Sequence, residues 1–131
     1  MKLLLDTHIW LWNSIAPDRL SRRVDRAIND PRNEIWISPI STWEIVLLYE
    51  KGRLKLADGP ALWVQKAMSL APLQEAPVTH EIASATCSVA LPHRDPADRL
   101  LVATALIHGL TLVTADRNVG RSKQVPVLLN R

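Results

Sequence analysis

Four acids in this chain stand at the ends of apolar runs or in the openings of helices. Asp6 follows Lys2-Leu3-Leu4-Leu5, and Asp116 follows Thr111-Leu112-Val113-Thr114 after one alanine. Glu44 falls in the opening of a helix behind the strand-like Ile35-Trp36-Ile37, and Asp98 opens a second helix upstream of Asp116. In an open parallel sheet the carboxyl ends of the strands share one edge, so residues distant in sequence meet there in one crevice. Two like charges about 4 Å apart repel by roughly 4 kcal/mol at an effective dielectric of about 20, against a whole-domain stability of roughly 5 to 15 kcal/mol. Four carboxylates in one crevice therefore call for a positive occupant. A hard divalent cation with oxygen ligands, Mg²⁺ or Mn²⁺, suits such a set.

Each acid also has an ordinary structural use. Asp6 can cap the first helix, since Asp6-Thr7-His8 precedes an apolar stretch. Ser41-Thr42-Trp43-Glu44 has the pattern of a capping box, in which the glutamate bonds back to a serine N–H. Asp95 and Asp98 lie around a helix start, where negative charge suits the dipole, and Asp116 has the look of a turn residue. Four separate uses do not explain why all four acids fall on one expected edge.

The elements that would position them alternate. Strands are expected at 2–5, 34–37, 73–76, 111–114 and 125–129. Helices are expected at about 8–14, 21–30, 39–51, 60–70, from the Thr79 cap to about 90, and at 97–108. Ser38 caps the third helix with Pro39 in its first turn, and Gly52 and Gly109 end two of them. Alternating strands and helices of these lengths predict an α/β fold, a parallel sheet flanked by helices on both faces in three layers.

With 131 residues, 47% of them hydrophobic, the chain has the size of one compact domain, here taken as 1–131. Cys87 is the only cysteine, and His8, His80, His93 and His108 show no zinc-ligand spacing, so a disulfide framework and a zinc site are not expected. Three leucines before Asp6 fall short of a signal-peptide core or a membrane span, which predicts a cytoplasmic protein with no membrane partner. The net charge of +3 is a mild basic excess. It grows on the remaining surface if four carboxylates are neutralised in one pocket, and it favours a polyanionic partner.

These residues carry a resemblance. Leu3-Leu4-Leu5-Asp6-Thr7, the serine-capped helix bearing Glu44, Asp98-Arg99-Leu100-Leu101-Val102-Ala103-Thr104-Ala105, and Leu112-Val113-Thr114-Ala115-Asp116 together resemble the PIN-domain ribonucleases, and within them the VapC-type toxins of bacterial toxin–antitoxin pairs. The resemblance covers essentially the whole chain. It implies a PIN-like fold and an Mg²⁺-dependent endoribonuclease with Asp6, Glu44, Asp98 and Asp116 as the acidic set. It further implies an RNA substrate, a small cognate antitoxin and a homodimer. Asp6 and Asp116, on adjacent strand ends, are the first choice for direct ligands. Asp95, one turn before Asp98, is a candidate supporting acid. Asn118 stands where some family members carry a further acid.

Other residues surround that set. Thr7 and Thr114 each adjoin an acid and are placed to bond a carboxylate or a scissile phosphate, with packing at a strand end the role more expected of both. Arg19, Arg22, Arg23 and Arg26 recur as one helical stripe, Lys51, Arg53 and Lys55 alternate beyond the Glu44 helix, and Arg94 and Arg99 flank the Asp95–Asp98 segment as a possible phosphate clamp. Trp10 and Trp12, two apart on one helix, cannot both face one core, so one of them is expected at a partner surface.

Three other readings share parts of this pattern. A phosphoacceptor receiver domain needs paired acids after the first strand, an aspartate after the third and a lysine after the last. Here Thr7, Ala76-Pro77 and no lysine stand in those places. A haloacid-dehalogenase-like phosphatase needs Asp-x-Asp, and His8 occupies the second position. A catalytically inactive PIN-fold binding protein is at odds with the intact acid set.

Overall fold

The computed structural model describes residues 1–92 and 95–131. Five strands, β1 (Lys2–Leu5), β2 (Glu34–Ile37), β3 (Leu73–Glu75), β4 (Thr111–Thr114) and β5 (Val127–Leu129), form one sheet in the order β3-β2-β1-β4-β5. Every pairing is parallel. The helices are α1 (Thr7–Ile15), α2 (Arg22–Asn29), α3 (Pro39–Glu50), α4 (Pro60–Leu70), α5 (His80–Ala85), α6 (Pro96–His108) and α7 (Arg117–Gly120).

Alternation along β1 builds the layers, because successive side chains of a strand point to opposite faces. Leu3 and Leu5 enter the core with α1, α2 and α3, through Ile9, Val24 and Ile45. Leu4 enters the opposite core with α5 and α6, through Ile82, Leu101 and Val102. Each such side chain, fully buried, contributes roughly 1.5 to 3 kcal/mol. The expected α/β sandwich is therefore the one observed.

The strand order bears on function. A receiver-type sheet runs 2-1-3-4-5 with its switch point between β1 and β3, whereas here the strand order switches between β1 and β4. At such a switch point the carboxyl edge is where ligands bind in open α/β sheets, and Asp6 and Asp116 follow the two strands there. The register Leu3↔Thr111, Leu4↔Leu112, Leu5↔Val113 brings both acids to that edge.

Two expectations need correction, and one element is added. The helix expected to run from Thr79 to about 90 ends at Ala85 and tightens into a 3₁₀ turn at Thr86–Ser88. Thr86 Oγ1 donates to the Ala83 carbonyl at 2.7 Å, and the Thr86 carbonyl is taken by Arg99 at 2.6 Å, so the local chain has partners other than helical ones. A second 3₁₀ turn, Pro17–Arg19, links α1 to α2. The turn expected at Asp116 is the start of α7, a helix too short to show a periodic pattern in sequence.

Candidate acidic active site

Each acid is set by the element it begins or rides on. Asp6 leaves β1 and caps α1: its Oδ1 accepts the Thr7 N–H at 2.7 Å, while its Oδ2 accepts the Thr114 hydroxyl at 2.7 Å from the neighbouring strand. The cap and the convergence are thus one arrangement. Asp116 caps α7, accepting the Asn118 N–H at 2.8 Å and the Val119 N–H at 3.3 Å through one oxygen. Its own N–H donates to Thr114 Oγ1 at 3.0 Å, so Thr114 joins the two strand-end acids.

Glu44 is not part of a capping box. Ser38 is the cap of α3, accepting the Ile40 N–H at 3.1 Å, which places Glu44 beyond the first turn. Its carboxylate instead accepts the Thr7 hydroxyl, which also lies 3.0 Å from Ser41 Oγ. Asp95 caps α6 by accepting the Ala97 N–H at 2.9 Å, and Asp98 is the third residue of that helix.

The carboxyls act on one another electrically. Burial pushes Asp98 up to about 7, and repulsion from Asp6, Asp95, Asp116 and Glu44 adds to it. Asp6 is raised chiefly by burial, with Asp116 adding to the effect, against the lowering influence of its Thr114 and Thr7 hydrogen bonds and of His8. Glu44 is raised by burial, with Asp6 and Asp95 adding, while Thr7 and His8 oppose. The four acids expected from sequence therefore share one electrostatic environment. Among the described residues no group of three or more His, Cys, Asp or Glu side chains is placed as it stands to hold a metal ion.

An acidic crevice at a β1/β4 switch point, built from the first and fourth strands, is the arrangement the sequence motifs resembled. The sequence pattern of the PIN domain matches residues 3–123, which include all four acids. The chain belongs to the PIN-domain family. Ribonuclease VapC22 of Mycobacterium tuberculosis is 38% identical over 127 residues, spanning 95% of this chain and 93% of that one. Among solved structures, VapBC2 of Rickettsia felis bound to a promoter DNA fragment superposes with a TM-score of 0.71 at 19% identity, covering 98% of both chains. DNA-bound VapBC of Salmonella typhimurium gives 0.70 at 19% identity, covering 100% of this chain and 99% of that one. At these identities the superpositions speak to the fold.

Several residues of this PIN domain have roles the sequence did not disclose. Thr7 and Thr114, expected to pack, are buried and hold Glu44 and Asp6 by their hydroxyls. Their adjacency to the acids was the available signal. His8, exposed at the start of α1, acts on both Asp6 and Glu44. The basic groups distribute differently from expectation. Arg99 donates to the Thr86 carbonyl and serves the packing of α6, and its expected companion Arg94 lies outside the described residues. Arg19 leaves the α2 stripe to lie 4.4 Å over the Trp12 ring. Lys51 is exposed at the far end of α3, roughly 10 Å along the axis from Glu44. Trp10 is core, edge-on to Trp63, and Trp12 is half-buried; the outward tryptophan is Trp43, 48% exposed and next to Glu44.

Proposed function

We propose that this PIN domain is a metal-dependent endoribonuclease that hydrolyses RNA phosphodiester bonds and acts as the toxin of a toxin–antitoxin pair. The observation that carries the reading is the carboxyl crevice, in which Asp98 is pushed up to about 7 by burial and by four other acids. The relative at 38% identity is named a ribonuclease, and the structural neighbours are described as VapBC assemblies, which supports both halves of the reading.

The donor set fits a hard cation. All four groups are carboxylates, and their mutual repulsion is relieved by positive charge. Asp6, Glu44, Asp98 and Asp116 would hold Mg²⁺, or Mn²⁺ in its place, with waters completing the shell, as is usual for Mg²⁺. Such an ion, when bound, makes water a better nucleophile and stabilises charge on the phosphate. The protein's own part is positional. Thr114 and the Thr7 N–H fix both oxygens of Asp6, the Thr7 hydroxyl turns Glu44 toward it, and the helix caps hold Asp116 and Asp95 at the mouth of the crevice.

The same charge that selects a cation selects an inhibitor. A small antitoxin would place an apolar segment on the surface and an arginine against the acids, since a guanidinium bonds carboxylates in bidentate fashion. The active unit is read as a homodimer. No described helix is long and apolar enough to cross a membrane.

The test is direct. Purified protein given a structured RNA should cleave it with Mg²⁺ or Mn²⁺, fall silent in excess EDTA, and lose activity in Asp6→Asn without losing its fold. Full-rate cleavage in excess chelator, or by Asp6→Asn, would refute the metal-centred reading. Growth arrest by the wild type and not by Asp116→Asn, relieved by co-expressing a small neighbouring gene product, would carry the toxin assignment. Harmless expression of the wild type alone would count against it.

A further inference from the structure

A second charged space, of opposite sign, lies against α7. It encloses about 510 Å³ and is lined by Arg23 of α2, Arg117 and Arg121 of α7, and Arg131 beyond β5. Among the described residues no acidic side chain lines it. Among the described residues none of these four guanidiniums is in an ion pair, in contrast to Arg32, which is paired with Asp30 at 2.8 Å.

Hydrogen bonds made by Asn130 and a close helix–strand contact at Gly120, rather than the reach of the arginine side chains, bring the four positions together. The Asn130 N–H donates to the Thr114 carbonyl at 2.8 Å, extending the β4–β5 ladder. Asn130 Oδ1 accepts the Ser21 N–H at 2.6 Å, and its Nδ2 donates to the Arg19 carbonyl at 3.1 Å. One asparagine thus ties the segment after β5 to the start of α2 and to the end of β4. Gly120 brings α7 onto β5 so closely that a Cβ there would stand 2.9 Å from Leu129 Cδ1.

Four guanidiniums around one space repel as the carboxylates do, and an anion relieves them. Arginine is the residue that meets a phosphate through two parallel N–H bonds. The cavity is also placed by the acid centre: Asp116 caps α7 and Arg117 is the next residue, on a helix only about 6 Å long. A polynucleotide with one phosphate at the acids would carry a nearby phosphate past the arginines.

We propose that Arg23, Arg117, Arg121 and Arg131 form a phosphate-binding cavity that holds the backbone of single-stranded RNA beside the acidic crevice. The cavity acts in binding and carries no step of the cleavage. The choice of RNA as its ligand rests on the nuclease reading, so the test measures binding and turnover separately.

Full-length protein is titrated into a fluorescently labelled single-stranded RNA in EDTA, and anisotropy is read at several salt concentrations. The double variant Arg121→Ala/Arg131→Ala should bind about tenfold more weakly, with a salt dependence shallower by about 0.7 per lost phosphate contact. Arg121→Lys/Arg131→Lys should lose less, and Arg32→Ala should match the wild type. With metal present, the alanine pair should raise KM and leave kcat in place. Unchanged affinity and slope in the alanine pair would overturn the proposal and leave the cavity to an acidic protein segment. So would an equal loss in Arg32→Ala, or no RNA binding by the wild type. If the alanine pair loses RNA affinity while no condition yields cleavage, the cavity stands and the nuclease reading fails. If RNA is cleaved and the arginines make no difference, the reverse holds.

Discussion

At the scale of single residues, Asp98 concentrates the cost of the crevice. Its carboxyl titrates at about 7 in the folded protein against 3.8 when unperturbed, so the native state holds its proton more tightly than the unfolded chain does. The resulting stability is fully present below about pH 4, is lost as pH rises toward 7, and is absent above it. Asp6 and Glu44 are shifted in the same direction and add to the trend. Metal-free protein should therefore melt at a lower temperature at pH 8 than at pH 5, and added Mg²⁺ should restore much of the loss. Asp98→Asn should melt a few degrees above the wild type at pH 8 without metal, exceed it by less at pH 5, and fail to cleave RNA; calorimetry at the two pH values checks this. Thr7 offers a complementary prediction. Thr7→Val removes the hydroxyl that reaches both Glu44 and Ser41 and should cost about 1 to 3 kcal/mol with a loss of turnover, whereas Thr7→Ser keeps the bond and most of both. Equal behaviour of the two variants would show that the hydroxyl does not matter.

At the scale of elements, α7 shows how one residue serves both a cap and a charge. Asp116→Asn keeps an acceptor for the Asn118 and Val119 N–H groups, so the fold should be at least as stable as the wild type. Asp116→Ala loses the cap and should cost about 1 kcal/mol; both variants should be inactive, which a melting curve beside a cleavage assay will separate. The same element marks where the sequence became hard to read. The strands were legible because short apolar runs such as Leu3-Leu4-Leu5 and Leu112-Val113 have one use in an alternating chain, and α3 and α6 were legible from Ser38-Pro39 and from Gly109, which sits at φ 67°. A four-residue helix has no period to detect. The early end of α5 was hidden for a different reason: the partner that claims the Thr86 carbonyl is Arg99, from another helix. For the acids, position along the chain was readable, because strand ends and helix starts define an edge. The hydroxyls that orient them were not, since a threonine at a strand end packs and bonds with equal ease until its neighbour across the sheet is known. The arginine stripe on α2 was misjudged as a unit. Tertiary contacts send Arg19 to Trp12 and Arg23 to the cavity beside α7.

At the scale of the whole molecule, the surface divides into an acidic crevice, a basic cavity and an outward tryptophan. Trp43, beside Glu44 on α3, is the most outward of the tryptophans at 48% exposed, while Trp10 is core and Trp12 is half-buried. Trp43→Ala should change the melting of the isolated protein little, by about 1 kcal/mol or less, and weaken association with an antitoxin or a second copy by about 2 kcal/mol. Co-purification and light scattering would detect the change, and undiminished association would exclude Trp43 from the interface. The hydrogen bond between Thr114 and Asp6 has a consequence in time. It joins residues 108 positions apart, across a β1–β4 ladder in which one strand is among the first made and the other among the last. At about 5 to 20 residues per second, a ribosome releases Asp6 seconds before it has made the strand that orients it. For most of that interval the nascent chain has Asp6 and Glu44 without their companions Asp98 and Asp116. A domain put together in this order has an incomplete acid set while it is still attached to the RNA-rich machine that makes it, and a chain interrupted anywhere before residue 111 stays that way.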